Sequence, residues 1–236
     1  MPTLESATVG QWVAESPARS RVFERLEIDY CCGGNRPLDQ VCVEKGLKLQ
    51  EVMRELESCN VLPSEDEHDW LHAPLGELAD HIEMTHHAFM KRELPRVSEL
   101  IAKVAQVHGS QHPEIIKVDE IFRDFRAELE HHMQKEEMIL FPLCRQLESA
   151  SSLPSFHCGS VGNPIHVMES EHANAGAAMQ AFRELTDGYK LPEGVCRSYQ
   201  AMLDGLAQIE SDMHQHVHKE NNILFPRSIA LETKLR

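Results

Sequence analysis

Two stretches of eleven residues, HMQKEEMILFP from His132 to Pro142 and HVHKENNILFP from His216 to Pro226, carry the same chemical groups twice. They share His, Lys, Glu, Ile, Leu, Phe and Pro, and they lie 84 residues apart. Each sets a glutamate four residues after a histidine, His132/Glu136 and His216/Glu220, a spacing that puts both side chains on one helix face. A second pair repeats at almost the same interval: His87 and His172 are 85 residues apart. Four imidazoles and two carboxylates in this arrangement are a donor set for cations. Imidazole and carboxylate without thiolate suit iron or manganese. Six ligands exceed the four that one tetrahedral zinc takes. The simplest arrangement gives each of two metals two histidines, with Glu136 and Glu220 bridging. Positions then remain open for oxo, water, oxygen or nitric oxide.

Positioning such a set requires long helices, and the apolar periodicity supplies four. They run from about Leu75 to Val107, Glu114 to Leu147, Gly162 to Asp187-Gly188, and Glu193 to Leu231. In the second, Val118, Phe122, Phe125 and Leu129 lead by steps of three and four into His132, Glu136, Ile139 and Leu143. In the fourth, Val195, Tyr199, Met202, Leu206, Ile209 and Met213 lead into His216, Glu220 and Ile223. The first gives His87, Met90, Leu94, Val97, Ile101 and Val104; the third gives Ile165, Met168, His172, Ala175, Met179 and Phe182. These histidines and glutamates thus occupy seam positions of helices that pack on one another. Four such helices with Gly, Pro and Ser in their connections predict an all-α fold built on an antiparallel four-helix bundle. Helices one and two correspond to helices three and four across a pseudo-twofold.

A buried, ionised, unpaired carboxylate is costly, and no lysine or arginine occupies the four seams, so metal is the expected counter-charge for two glutamates. His86 fits the seam behind Ile82 but meets Glu93 ahead, whereas His87 continues through Met90 and Leu94, so His87 is the ligand candidate. His131, His214 and His218 fall off the seam and read as surface. His81, His108, His112, His157 and His166 lack partners at ligand spacing and read as solvated or capping. Glu128, Glu169 and Glu171 lie near the candidate ligands and read as helix-surface residues, with a supporting or proton-relay role as the alternative.

The chain has 236 residues, 15 of them histidine, and a formal net charge of −15. Excess acid argues against nucleic acid and anionic membranes as partners. The N-terminus lacks the basic start and apolar core of a signal peptide, and no apolar run approaches the about 18 residues of a membrane span. A cytoplasmic location is therefore expected, and the seven cysteines read as thiols rather than a disulfide framework. Residues 1–62 form a separate small helical domain with short amphipathic stretches around DYCCGG. The acidic segment within 63–74 is the linker, and 75–236 the bundle. Adjacent Cys31 and Cys32 need a turn to face one way, and Gly33 and Gly34 offer the permissive backbone for it. Such a pair forms a strained disulfide, holds a soft metal, iron–sulfur material or a nitrosyl-iron species, or simply packs in the turn. Cys42, Cys59, Cys144, Cys158 and Cys196 read as small core or surface residues.

DYCCGG near the N-terminus, HxxxE before ILFP twice, and VMESEH in the third bundle helix together resemble the Repair of Iron Centres family, the iron–sulfur cluster repair di-iron proteins. The resemblance covers essentially the whole chain. It implies a hemerythrin-like bundle holding two iron ions as a non-haem di-iron centre, oxo-bridged in one form. Its ligands would be His87, His132, Glu136, His172, His216 and Glu220, the glutamates bridging. Cys31 and Cys32 would be the family's cysteine pair, passing iron or a nitrosyl group. The implied function is repair or protection of iron–sulfur proteins damaged by nitric oxide or oxidants, by supplying iron. Damaged iron–sulfur proteins and nitric oxide or oxygen are then the partners of a monomer or homodimer. A nitric oxide-binding or -reducing enzyme or scavenger is the chief alternative. Behind it stand a hemerythrin-like oxygen or iron carrier and a metal-stabilised bundle without turnover.

Overall fold

The computed structural model describes residues 7–59 and 68–236, all of them helix, turn or loop apart from one isolated bridge between Thr8 and Pro37. Residues 63–67 of the acidic linker lie outside the described residues. In the N-terminal part, α1 (Val9–Glu15), a 3₁₀ turn (Pro17–Arg19), α2 (Ser20–Arg25), α3 (Leu38–Lys45) and α4 (Leu49–Ser58) enclose one small core. Helix α1 starts on a reciprocal cap: Gln11 N–H donates to Thr8 Oγ1, and Thr8 N–H donates to Gln11 Oε1. This satisfies two backbone donors that would otherwise be orphaned. Trp12, Phe23, Leu38 and Leu56 fill the core, each worth about 1.5–3 kcal/mol of apolar burial. Arg19, itself buried, donates to the Trp12 carbonyl at 2.9 Å and lies over its indole ring.

The bundle follows in four long rods. Three of them contain a π-helical turn: α5 (Leu75–His81) joins α6 (Ala88–His108) through Ile82–His87, α7 (Glu114–Lys135) joins α8 (Phe141–Ser149) through Glu136–Leu140, and α10 (Arg197–Lys219) joins α11 (Phe225–Leu235) through Glu220–Leu224. The third rod is α9 (Gly162–Leu185), without such a turn. Helix α6 packs on α7 and α10, and α7 on α9. Two apolar layers fill the interior, one around Leu94, Phe122, Phe182 and Met202, the other around Ile82, Phe141, Ile165 and Phe225. The polar seam residues lie between them.

The π-turns correct the seam read from sequence. A π-turn inserts one extra residue into the rod and rotates everything beyond it. Ile139, expected on the seam, is 39% exposed, while Leu140 and Phe141 turn inward in its place. Pro142 and Pro226 open the helices that follow, where a missing N–H is tolerated.

The pseudo-twofold extends to the helix caps. The Glu148 carboxylate accepts the backbone N–H of Leu75 and Gly76 at the start of α5. Glu232, its counterpart 84 residues on, accepts Val161 N–H and the Ser160 hydroxyl at the start of α9. An acidic group at a helix N-terminus meets the positive end of the backbone dipole. Residues 68–74, the rest of the expected linker, lie against the bundle: Arg227 donates to the carbonyls of Trp70 and Ala73, and the Trp70 ring lies 4.3 Å from that of His81.

Candidate metal centre

The π-turns hold the chemistry. Glu136 and Glu220 are each the first residue of one, and His87 is the last residue of another. The turn lets a histidine and the glutamate four residues on point inward together while the apolar register resumes one residue late. His87, His132, Glu136, His172, His216 and Glu220 are all buried.

Their donor atoms fall into two groups that share both carboxylates. His87 and His216 form one group with Glu136 and Glu220, and His132 and His172 form the other with the same two glutamates. Each carboxylate splits its oxygens between the groups. Glu136 Oε2 lies 3.3 Å from His87 Nε2, and its Oε1 lies 3.3 Å from His132 Nε2. Glu220 Oε1 lies 3.2 Å from His216 Nε2, and its Oε2 lies 3.1 Å from His172 Nε2. For Glu136 and Glu220 these approaches are ion-pair contacts without hydrogen-bond alignment. Both oxygens of each glutamate, His87 Nε2 and both nitrogens of His216 are buried with no hydrogen-bond partner. Buried polar groups without partners are uncommon and expensive, and a cation in each group would satisfy them. The donor set therefore fits a pair of metal ions.

Electrostatics favours positive charge here. Burial opposes the charged form of His132, yet Glu136, Glu220 and Glu171 outweigh it and raise the imidazole to about 9. His87 and His172 are likewise raised against burial by their glutamate neighbours. Burial and the facing Glu220 push Glu136 upward, but His132 and His87 bring it below the ordinary carboxylate range. Glu220 lies well below that range because His216 and His172 overcome its burial. Protons on imidazole and cations between the groups are alternative ways of supplying the same charge.

A further layer of side chains orients three of the four imidazoles. His87 Nδ1 donates to Glu137 at 2.7 Å, His132 Nδ1 to Glu171 at 2.8 Å, and His172 Nδ1 to the Asn221 carbonyl oxygen at 2.9 Å. A donating Nδ1 leaves the lone pair on Nε2, facing the carboxylates. Phe141 stacks on His87 and Phe225 on His172, so the Phe of each ILFP covers one imidazole. Glu171 is thus not the plain surface residue its sequence position suggests. Glu137 and Asn221 carried no sequence signal beyond following a candidate ligand. Glu128 and Glu169 are exposed.

His86 is buried but engaged at both nitrogens: Nδ1 donates to Asp212 at 3.0 Å, and Nε2 accepts from Lys219 at 2.7 Å. Burial and the Lys219 charge lower its pKa to about 2. With no nitrogen to spare, it stands outside both donor groups, stacked 5.5 Å from His216 with the rings nearly parallel.

His218 corrects another expectation. It is buried, not on the surface, and its pKa is lowered to about 4 by that burial. Its ring meets Tyr30 edge-on, as does that of His214. Asn222 Nδ2 donates to the carbonyls of Tyr30 and Cys31 at 3.1 and 3.2 Å, and Asn221 Nδ2 approaches the Cys31 carbonyl at 3.4 Å. DYCCGG is thereby held on the third π-turn, with Cys32 Sγ 3.6 Å from the His172 carbonyl oxygen. Gly33 and Gly34 are not at positive φ, contrary to the expectation of a left-handed turn. At Gly34, as at Gly10, close approach is the reason for glycine: a Cβ at either position would collide with the Asn222 side chain.

Beside this contact a pocket of about 20 Å³, room for one molecule the size of water, reaches His132 and His172 between Phe125, Glu128, Leu129 and Glu171. Cys31 and Cys32 are both free thiols. Hydrogen bonding between them, together with burial, raises Cys31 well above the usual thiol range, while the same bond lowers Cys32.

Two family descriptions cover this architecture. Residues 78–228 match the hemerythrin HHE cation-binding domain, and residues 5–60 match ScdA_N, a domain of unknown function. The iron-sulfur cluster repair protein YtfE of Pectobacterium atrosepticum is 33% identical over 229 residues, covering 95% of this chain and 97% of that protein. The chain belongs to the YtfE family. YtfE of Escherichia coli O157:H7 is also 33% identical, over 225 residues, and that of Enterobacter sp. 32%, over 224. The bundle of this family member is a cation-binding domain. Among the described residues no helix is long and apolar enough to cross a membrane.

Proposed function

We propose that this protein repairs or protects iron–sulfur clusters damaged by nitric oxide or oxidative stress, by supplying iron held in the bundle. Its relatives carry the name iron-sulfur cluster repair protein. His87 and His216 would hold one iron, His132 and His172 the other, and Glu136 and Glu220 would bridge them. The observation that carries this reading is the sharing of each buried carboxylate between two histidine pairs. Two ferrous ions so placed would supply exchangeable iron and one-electron chemistry toward nitric oxide or oxygen. The chain's own side chains do the rest. Glu137, Glu171 and Asn221 fix the imidazole tautomers, Phe141 and Phe225 shield two of the rings, and the apolar layers exclude bulk water. Cys31 and Cys32 would meet outgoing iron beside His172.

The test is anaerobic loading with ferrous iron, elemental analysis, and recovery of an iron–sulfur enzyme inactivated by nitric oxide. Two irons per chain, lost in step with recovered activity, is the expected result. No uptake of iron, or recovery without iron loss, sinks the reading. The pocket beside His132 and His172, of a size for a diatomic gas, favours a second reading, catalytic reduction of nitric oxide. Nitrous oxide formed over many cycles with iron retained would replace repair by that reading.

A further inference from the structure

Adjacent residues usually project their side chains apart, yet Cys31 and Cys32 present both sulfurs to one side. Asp29 builds the turn that does this. Its Oδ1 accepts the backbone N–H of Cys31 and of Cys32, each at 2.9 Å, and its Oδ2 accepts that of Gly33 at 2.8 Å. The same Oδ1 stands 3.2 Å from Cys31 Sγ, and the two sulfurs are 3.9 Å apart. That separation is far beyond a disulfide bond. It is close to the roughly 3.8 Å between two thiolates that share a tetrahedral ion at metal–sulfur distances of about 2.3 Å. One oxygen and two sulfurs thus converge.

The placement is as informative as the spacing. Cys32 Sγ lies 3.6 Å from the His172 carbonyl oxygen, and a single amide joins the turn to the bundle site. Asn221 accepts from His172 Nδ1 through its oxygen and points its nitrogen at the Cys31 carbonyl. Asp29 is exposed and Cys32 half-buried, so the group opens outward while its back rests on His172.

We propose that Asp29, Cys31 and Cys32 form a separate, three-donor site for one soft divalent cation, through which cargo ferrous iron passes on leaving the bundle. This rests on the repair reading for its cargo but not for its chemistry. Iron arriving there exchanges imidazole and bridging-carboxylate donors for two thiolates and one carboxylate. Two thiol protons pass to solvent, and no electron moves. Three donors leave a fourth tetrahedral position free, where a ligand of the receiving protein can take hold before the chain's own sulfurs let go.

The experiment uses the full chain with its bundle already loaded with iron, titrated anaerobically with cobalt(II). The expected result is one further equivalent of metal with a near-ultraviolet thiolate-to-cobalt charge-transfer band. Cys31→Ser and Cys32→Ser should each abolish the band. Asp29→Asn keeps an acceptor for the turn and should weaken cobalt binding about tenfold or more. Cys158→Ser and Cys196→Ser should leave the band unchanged. Unchanged bundle iron and near-ultraviolet circular dichroism in the variants show that the fold is intact. Absence of the band in the wild-type protein, or its persistence in Cys31→Ser/Cys32→Ser, overturns the proposal. Iron donation to an apo-cluster protein, followed in the same preparations, separates the two ideas. Donation without a thiolate band sinks this site and leaves repair standing, whereas a thiolate band without donation does the reverse.

Discussion

The two halves of the bundle, residues 75–149 and 162–235, agree where they face each other and differ one layer out. His87 matches His172, His132 matches His216, and Glu136 matches Glu220; Phe141 and Phe225 cover equivalent imidazoles. Cys144 even meets its counterpart Ser228 across the axis at 3.3 Å. The supporting layer breaks the symmetry. Glu137, paired with His87 and Lys91, becomes Asn221, while Glu171, paired with His132 and Lys135, has His86 as its counterpart. Met138, 69% exposed, becomes Asn222, which the N-terminal domain covers. The physical reason lies in donors and acceptors. A carboxylate can only accept, but an amide accepts and donates, so Asn221 can orient His172 and reach Cys31 at once. The second half exchanges carboxylates for groups that dock DYCCGG.

The largest expected effect tests what the halves share. Because each carboxylate serves both histidine pairs, Glu136→Gln should lose both irons, not one, by elemental analysis, and Glu220→Gln should do the same. Loss of one iron would mean that the halves work independently. Removing metal from the wild-type protein with a chelator should lower its melting temperature. Binding at a hundred times the dissociation constant contributes about 2.7 kcal/mol.

The next effect tests what they do not share. Asn222→Met copies the first half into the second. It places a bulkier, non-donating side chain against Gly10 and Gly34 and leaves the Tyr30 carbonyl without its amide donor. Overpacking of this kind costs about 1–3 kcal/mol. Cys31 should then alkylate faster and the N-terminal domain melt earlier. Met138→Asn, the reverse change on an exposed residue, should stay within about 0.5 kcal/mol. Equal effects at the two positions would refute the asymmetry.

The inner layer was legible in the sequence because repetition exposes it: two copies of HxxxE, both in phase with a 3.5-residue apolar seam, rarely arise by chance. The all-α bundle followed from the same stripes. The π-turns were not legible, since a one-residue insertion leaves the composition unchanged and shows only as a slip, Leu140 inward where Ile139 was expected. The supporting layer was hidden for a different reason. Asn221, Asn222 and His218 owe their roles to Tyr30 and Cys31, roughly 190 residues away, and nothing local in HVHKENNILFP announces that partner. Lone polar residues such as Glu171 look the same whether they meet water or an imidazole Nδ1.

The smallest effects come from the matched pair Glu137 and Asn221, and they should fall on different properties. Glu137→Gln keeps an oxygen for His87 Nδ1 but removes the charge that Lys91 also meets. Less basic support for the imidazole should weaken metal binding by up to about tenfold in chelator competition, the low end for such changes. Asn221→Asp keeps the acceptor for His172 Nδ1 and loses only the long contact to the Cys31 carbonyl. Metal affinity should hold or rise, while docking of the cysteine turn loosens by about 0.5–1.5 kcal/mol, read as faster Cys32 alkylation with the bundle's own melting unchanged. If Asn221→Asp instead weakens metal as much as Glu137→Gln and leaves thiol access alone, the amide serves the metal only, and its link to the cysteine turn is incidental packing.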